Sequence, residues 1–326
     1  MKEIILKLVI TTFLIFILLG GCIQENSTAE PKLIFVDDDG EADFALIQNA
    51  IDYASIGDTI FIRNGTFNER LIIDKSINLI GESKDNTIIQ HKEGNTPSEN
   101  ITVLINSDNC SINGFKIIGP GSALDIIGVN INASNSTVSN NILLNYNKGV
   151  QIGKFAEDTK NNNVSSNIIS NCAYGIISKY SKNNYISKNN ISLSIFDGIQ
   201  VYSSDYNVVF GNTASNNKFF GIRIKGSDYN TVFGNLLIMN QGGVYCCCGS
   251  GYNTIYHNNF KQNYERNGRD DINNQWDNGS VGNYWDDYNG SDADNDNIGD
   301  TPYYITSLIK DEFPIIKPID IYDIDN

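Results

Sequence analysis

The chain repeats itself, and the repeat constrains what it can become. The segments "NNVSSN" at Asn162, "NYISKN" at Asn184, "NVVFGN" at Asn207, "NTVFGN" at Asn230 and "NTIYHN" at Asn253 begin 22, 23, 23 and 23 residues apart. Two looser copies, "CSINGF" at Cys110 and "STVSNN" at Ser136, precede them at spacings of 26. A second landmark follows by 13 or 14 residues: "GVQI" at Gly149, "GIIS" at Gly175, "GIQV" at Gly198, "GIRI" at Gly221 and "GVYC" at Gly243. This reads as two short alternating strands per repeat, separated by Gly and Asn turns. One repeat cannot bury its apolar face alone, so successive repeats must stack. With no helical stripe and no leucine-rich consensus, the period specifies an all-β parallel β-helix of 22–26-residue coils, rising about 4.8 Å per coil.

The register predicts columns of like residues. Asn167, Asn189, Asn212, Asn235 and Asn258 should form an asparagine ladder, each amide bonding the next and adopting the left-handed conformation that asparagine tolerates. Tyr206, Tyr229 and Tyr252 should stack beside it, and Lys160, Lys182, Asp205 and Asp228 should form a solvated charge column. Solenoid ends need caps, because an open coil exposes unpaired backbone. A helix with Asp43 as N-cap and Phe44, Ile47, Ile51 and Ala54 on one face is the expected N-terminal plug, with strands beginning at Thr59.

The first 22 residues read as a lipoprotein-type signal peptide: Lys2 and Lys7 precede an apolar run from Leu8 to Leu19, and Leu19-Gly20-Gly21-Cys22 forms a lipobox with Cys22 as the lipidated residue. Residues 23–31 are then a tether, 32–100 the N-terminal cap and first coils, 101–265 the repeats, and 266–326 a cap of aromatic and acidic residues. The expected location is extracytoplasmic, at the cell surface, held to the membrane by the lipid. A disulfide framework is not expected, because five cysteines remain after Cys22. The net charge of −15 argues against nucleic acid as a partner.

The opening "IFVDDDGEADFALIQNAIDYASIGDTIFIRNGTFNE" resembles the entry segment of the pectin-lyase-like right-handed β-helix superfamily, and the Asn/Gly coils resemble NosD-type repeats. The tail "GNYWDDYNGSDADNDNIGDTPYYI", followed by "DEFPI", is similar to the closing motif of archaeal cell-surface proteins of that kind. The resemblance runs from about Ile34 to Ile315. It implies fold and location but not activity, since the superfamily includes lyases, glycosidases, esterases, adhesins and copper-site maturation factors.

Candidate chemistry is sparse. "GIRIKGS" resembles the Arg-Ile-Lys substrate motif of polygalacturonases, making Arg223 and Lys225 candidate binders of an acidic sugar. The paired carboxylates of an inverting hydrolase are missing from the preceding coils: "GNTAS" has Ala214 where an Asp is wanted, and the histidines are His91 and His257. No catalytic residue is therefore assigned. "DADNDNIGD" places Asp292, Asp294, Asp296 and Asp300 as calcium ligands, with Asn295, Asn297 and Gly299 permitting tight turns. The loop departs from the EF-hand at its glycine and glutamate positions. Among the aromatics around it, Trp285 and Tyr288 are candidate sugar-stacking residues, although such residues also serve to bury a last coil. The triplet Cys246-Cys247-Cys248 alternates core, outward and turn. Cys247 and Cys248 are the candidate soft-metal ligands, but neighbours on opposite faces chelate poorly, so copper is not expected. The function that follows is a non-enzymatic surface β-helix meeting cell-envelope carbohydrate or glycoprotein. A polysaccharide lyase or hydrolase and a copper-handling factor are the alternatives.

Overall fold

Isoleucine and valine at alternate positions of short strands pack inward, and each strand hydrogen-bonds its counterpart one repeat away. The computed structural model describes residues 30–93, 100–155 and 158–321. They form a right-handed parallel β-helix of about eleven turns. A first sheet of ten strands runs from Leu33–Val36 to Thr254–Tyr256, a second of ten from Gly65–Glu69 to Tyr284–Trp285, and a third of nine from Leu71–Ile73 to Arg266–Asp270. Register is kept residue for residue, as in the first-sheet column Val164, Ile186, Val209, Val232 and Ile255, all fully buried.

A regular coil thus has three strands, not two. The second-sheet strands, such as Ile168–Ser170 and Thr213–Ser215, are three residues long and bury one side chain each, too few for alternation to show. Ala214 is one of those buried residues, in a core column with Ile191 and Leu237.

The asparagine ladder is present. Each rung's backbone N–H and Nδ2 donate to the next Oδ1, from Asn141 through Asn167, Asn189, Asn212, Asn235 and Asn258 to Asn283. The left-handed conformation belongs elsewhere: it is the residue before each rung, Ser166, Lys188, Gly211, Gly234 and His257, that has positive φ. A second ladder runs from Asn162 through Asn184, Asn207, Asn230 and Asn253 to Asn274. A third joins Asn217, Asn240 and Asn263. All three end on carboxylates: Asp311, Asp270, and, through Asn267, Asp286 and Asp287. Tyr206, Tyr229 and Tyr252 stack at 5.1 and 5.0 Å within 8° of parallel.

At the N-terminal end, helix α1, Ile47–Tyr53, packs Ile47, Ala50 and Ile51 into the core. A strand, Leu33–Val36, precedes it. Asp43 is not its cap: its Oδ2 accepts from Phe35 N–H, while both oxygens of Glu69 accept from the helix's first amides, Ile47 and Gln48, at 2.8 and 3.0 Å. At the C-terminal end Trp285 stacks between Phe260 (4.3 Å) and Tyr303 (4.1 Å), with Trp276 beside it. Among the described residues no helix is long and apolar enough to cross a membrane. Cys22 and the expected signal peptide and tether fall almost wholly outside the described residues.

Candidate functional site

The third sheet carries the densest chemistry. Its strands Tyr174–Lys179, Ile199–Tyr202, Phe220–Lys225, Gly242–Cys247 and Arg266–Asp270 turn Ile176, Ile199, Ile222 and Val244 into the core. Alternation therefore sends the residues between them outward. One outward column reads Gln200, Arg223, Tyr245, Arg269, and its neighbour Lys179, Tyr202, Lys225, Cys247. Cations and aromatic rings thus alternate along the solenoid axis.

Arg223 is the centre of this face. Its Nη2 lies 3.1 Å from Oδ1 of Asp197, whose side chain is 1% exposed. Its guanidinium carbon sits 5.8, 5.1 and 5.5 Å from the ring centres of Phe219, Phe220 and Tyr245. Asp197 also accepts from Phe220 N–H and Gln200 Nε2. Burial raises its pKa, and the Arg223 charge, the Phe220 amide and Gln200 work against that rise. Arg223 Nε is buried with no hydrogen-bond partner. Arg269 lies 4.3 Å from the other side of Tyr245, whose hydroxyl donates to Asp271 at 2.7 Å. Lys225 and Lys179 sit 5.2 and 5.6 Å from the Tyr202 ring. Phe196 stacks on Tyr174 at 4.9 Å and continues to Phe219 at 5.6 Å, beside the Asp197–Arg223 pair.

Arg223 and Lys225 therefore stand where alternation puts them, on one outward face. Asp197 was missed by sequence reasoning; its signal is an acid immediately before the "GIQV" landmark, where other coils have Tyr174 or Phe220. The aromatic candidates fare differently. Trp285 is 1% exposed, with its Nε1 donating to Asp311, so it seals the core and offers no sugar platform. Tyr288 donates its hydroxyl to Thr301 O at 2.6 Å and packs against the core. The Tyr206–Tyr229–Tyr252 rings lie face to face, so between neighbours only edges are open to a sugar.

In the C-terminal loop, carboxylate oxygens of Asp292, Asp294 and Asp296 lie within 4.8 Å of one another. Asp300 does not join them; it accepts from Ser291 Oγ and Ala293 N–H. Asn295 and Asn297 have positive φ, but Gly299 does not: a side chain there would collide with the Tyr288 hydroxyl, so its role is to admit that ring. The loop's own amides already donate to Asp292 and Asp296. Asp205 and Asp228 each accept a backbone amide of the next coil, Asp228 N–H and Gly251 N–H.

The cysteines depart from expectation too. Cys246 is in the core as the register requires, but Cys247 is buried at 3% exposure and its sulfur lies 3.1 Å from that of Cys248, so the two thiols converge.

The family model described as "Periplasmic copper-binding protein (NosD)" matches residues 52–290, most of the chain. The chain belongs to the NosD family. Among solved structures, this NosD-family chain is similar to the A-module of a mannuronan C-5 epimerase from Azotobacter vinelandii: 17% identity, 67% of this chain and 72% of that one, TM-score 0.53. It is similar to the Dettilon tailspike protein at 14% identity, over 75% of this chain and 61% of that one, with TM-score 0.52. The enzymatically active domain of bacteriophage CBA120 tailspike protein 2 matches at 14% identity, over 71% of this chain and 44% of that one, with TM-score 0.50. At these identities the likeness is one of fold. Comparison with curated proteins finds no match.

The donor set does not fit copper. The single cluster of three His, Cys, Asp or Glu ligands among the described residues is Asp292, Asp294 and Asp296, hard oxygens that suit calcium better than copper. His91 is engaged with Thr102, and Cys110, Cys172 and Cys246 are buried. Cys247 and Cys248 converge as a pair, and among the described residues no third soft ligand joins them.

Proposed function

We propose that this is an extracytoplasmic β-helix that binds an anionic glycan along the outward face of the third sheet, without turning it over. The observation that carries the reading is Arg223: a partly exposed side chain on the outward face, fixed by Asp197 and three rings. Asp197 and the rings hold its planar fork, so little side-chain freedom is lost when it meets a carboxylate or sulfate. Arg223 and Arg269 are two coils apart, as are Lys179 and Lys225, so cationic side chains recur every ~10 Å along the axis, the arginines paired with Asp197 and Asp271 and the lysines set against the Tyr202 ring. A polymer with regularly repeated negative charge, lying along the solenoid, matches that spacing. Phe196 and Phe219, 38% and 39% exposed, supply apolar contact for sugar rings.

An extracytoplasmic setting is supported by the periplasmic description of the family, and anchoring at Cys22 by the lipobox. Calcium, on this reading, orders the C-terminal loop through Asp292, Asp294 and Asp296 and takes no part in binding glycan. Against the enzymatic alternative, the carboxylates of this face among the described residues are engaged: Asp197 by Arg223, Gln200 and Phe220 N–H, and Asp271 by Tyr245 and Arg269.

Titration calorimetry with a polyuronate and an uncharged polysaccharide tests the reading. Binding of the polyuronate alone, weakened at least tenfold by Arg223→Ala plus Lys225→Ala and by raising salt, is the expected result. Equal binding of both polymers, or none of either, would overturn it.

A further inference from the structure

We infer that Cys247 and Cys248 form a vicinal dithiol that closes reversibly to a disulfide, making the turn after Gly242–Cys247 a site of oxidative modification. Four observations converge there. The two sulfurs are 3.1 Å apart, closer than they need be for packing. Cys247 is fixed: its carbonyl accepts from Gly226 N–H, Ser250 N–H and Ser250 Oγ, at 3.1, 3.2 and 2.7 Å. Cys248 is exposed, at φ 62°, and is followed by Gly249 at φ 91°. Cys246, by contrast, points into the core and is sealed off.

The two thiols divide the labour. Burial, with the neighbouring Cys248 adding to it, pushes the Cys247 thiol up to about 12, so Cys247 is poorly suited to attack first. Cys248 faces solvent and meets the oxidant, a small-molecule or protein disulfide. Its sulfur attacks one sulfur of that disulfide, forming a mixed disulfide and releasing one thiolate. Cys247 then gives up its proton and attacks the Cys248 sulfur, and the second thiolate leaves. Two protein thiols lose two electrons and two protons, and the oxidant is reduced to two thiols. Adjacent residues hold their Cα atoms about 3.8 Å apart, below the usual disulfide span, which places such a bond among the readily reduced ones.

The site bears on the face described above, because Cys247 continues the Lys179, Tyr202, Lys225 column. Only the supply of oxidant rests on the extracytoplasmic reading; the thiol pair does not depend on it, and the test in solution separates the two.

The purified full chain is equilibrated with oxidised glutathione and analysed by intact mass, thiol titration and peptide mapping. The expected product has lost two hydrogens, with the bond within the Cys246–Cys248 peptide, retained in Cys246→Ala and reversed by mild reductant. Cys247→Ser should instead hold a stable glutathione adduct on Cys248, which the wild type sheds. A wild-type protein that keeps the adduct on Cys248, or whose thiol count stays unchanged while Cys248 still reacts with an alkylating agent, would overturn the proposal.

Discussion

A single asparagine in these ladders does the work of two donors and an acceptor. Asn212 takes both the N–H and the Nδ2 of Asn189 on its Oδ1, and gives its own Nδ2 to Asn235, to Ile186 O and to Phe210 O. It is fully buried, so truncation strands partners that no water can reach. Each orphaned buried donor costs about 1–3 kcal/mol. Asn212→Ala should therefore lower stability by about 2–4 kcal/mol, readable as a lower denaturation midpoint in urea; a change below about 0.5 kcal/mol would mean that the ladder is ornamental. The ladder was legible because its residue type is fixed in every regular coil. The left-handed position just before it was not, because Ser166, Lys188, Gly211, Gly234 and His257 share no side-chain chemistry. There the backbone is dictated by the coil, and the residue simply submits.

At the scale of the element, the caps decide how the coils end. Asp311 closes the first ladder and accepts from Asn283 N–H, Trp285 Nε1 and Phe313 N–H. Burial nevertheless raises its pKa from 3.8 to about 6. Between those values the folded protein holds a proton that the unfolded chain has lost. Stability should thus fall as pH rises from about 4 to about 6, by about 3 kcal/mol from this group, and then level off. Thermal melts across that range should show the slope, and Asp311→Asn should flatten it; an unchanged slope would assign the effect to another group. The acidic loop makes a separate prediction. Calcium should raise the melting temperature of the parent and release heat on titration, and Asp292→Ala plus Asp294→Ala should abolish both, whereas Asp300→Ala should leave calcium binding in place. Equal calcium heats in the parent and the double variant would remove the ion from the loop. The caps were also where sequence reasoning slipped. Glu69 caps α1 from 22 residues away, and Gly299 serves the Tyr288 ring. Both are tertiary relationships that no local pattern records.

The whole molecule behaves as a stack of near-equivalent units, each touching chiefly its neighbours. The period alone was enough to specify that stack, and alternation placed Arg223 and Lys225 outward. What the sequence did not disclose is the company Arg223 keeps. Asp197 and Tyr245 come from the two adjoining coils, and only register brings them to Arg223 beside Phe219 and Phe220 of its own coil. This separates fold from function in a testable way. Deleting residues 207–229 removes one 23-residue coil and leaves the register intact. The shortened protein should keep its β-sheet circular dichroism and unfold cooperatively, while losing polyuronate binding along with Arg223 and Lys225. Aggregation or loss of structure would show that the coils are less interchangeable than their hydrogen bonds suggest.

The ladders also have a direction. The bonds from rung to rung all run toward the C-terminus, and each row finishes on Asp311, Asp270 or the Asp286–Asp287 pair. A carboxyl side chain has no amide N–H to hand on. These aspartates are therefore chain terminators in the polymer chemist's sense: the solenoid can lengthen by inserting coils upstream, but one molecule cannot propagate its ladders into the next.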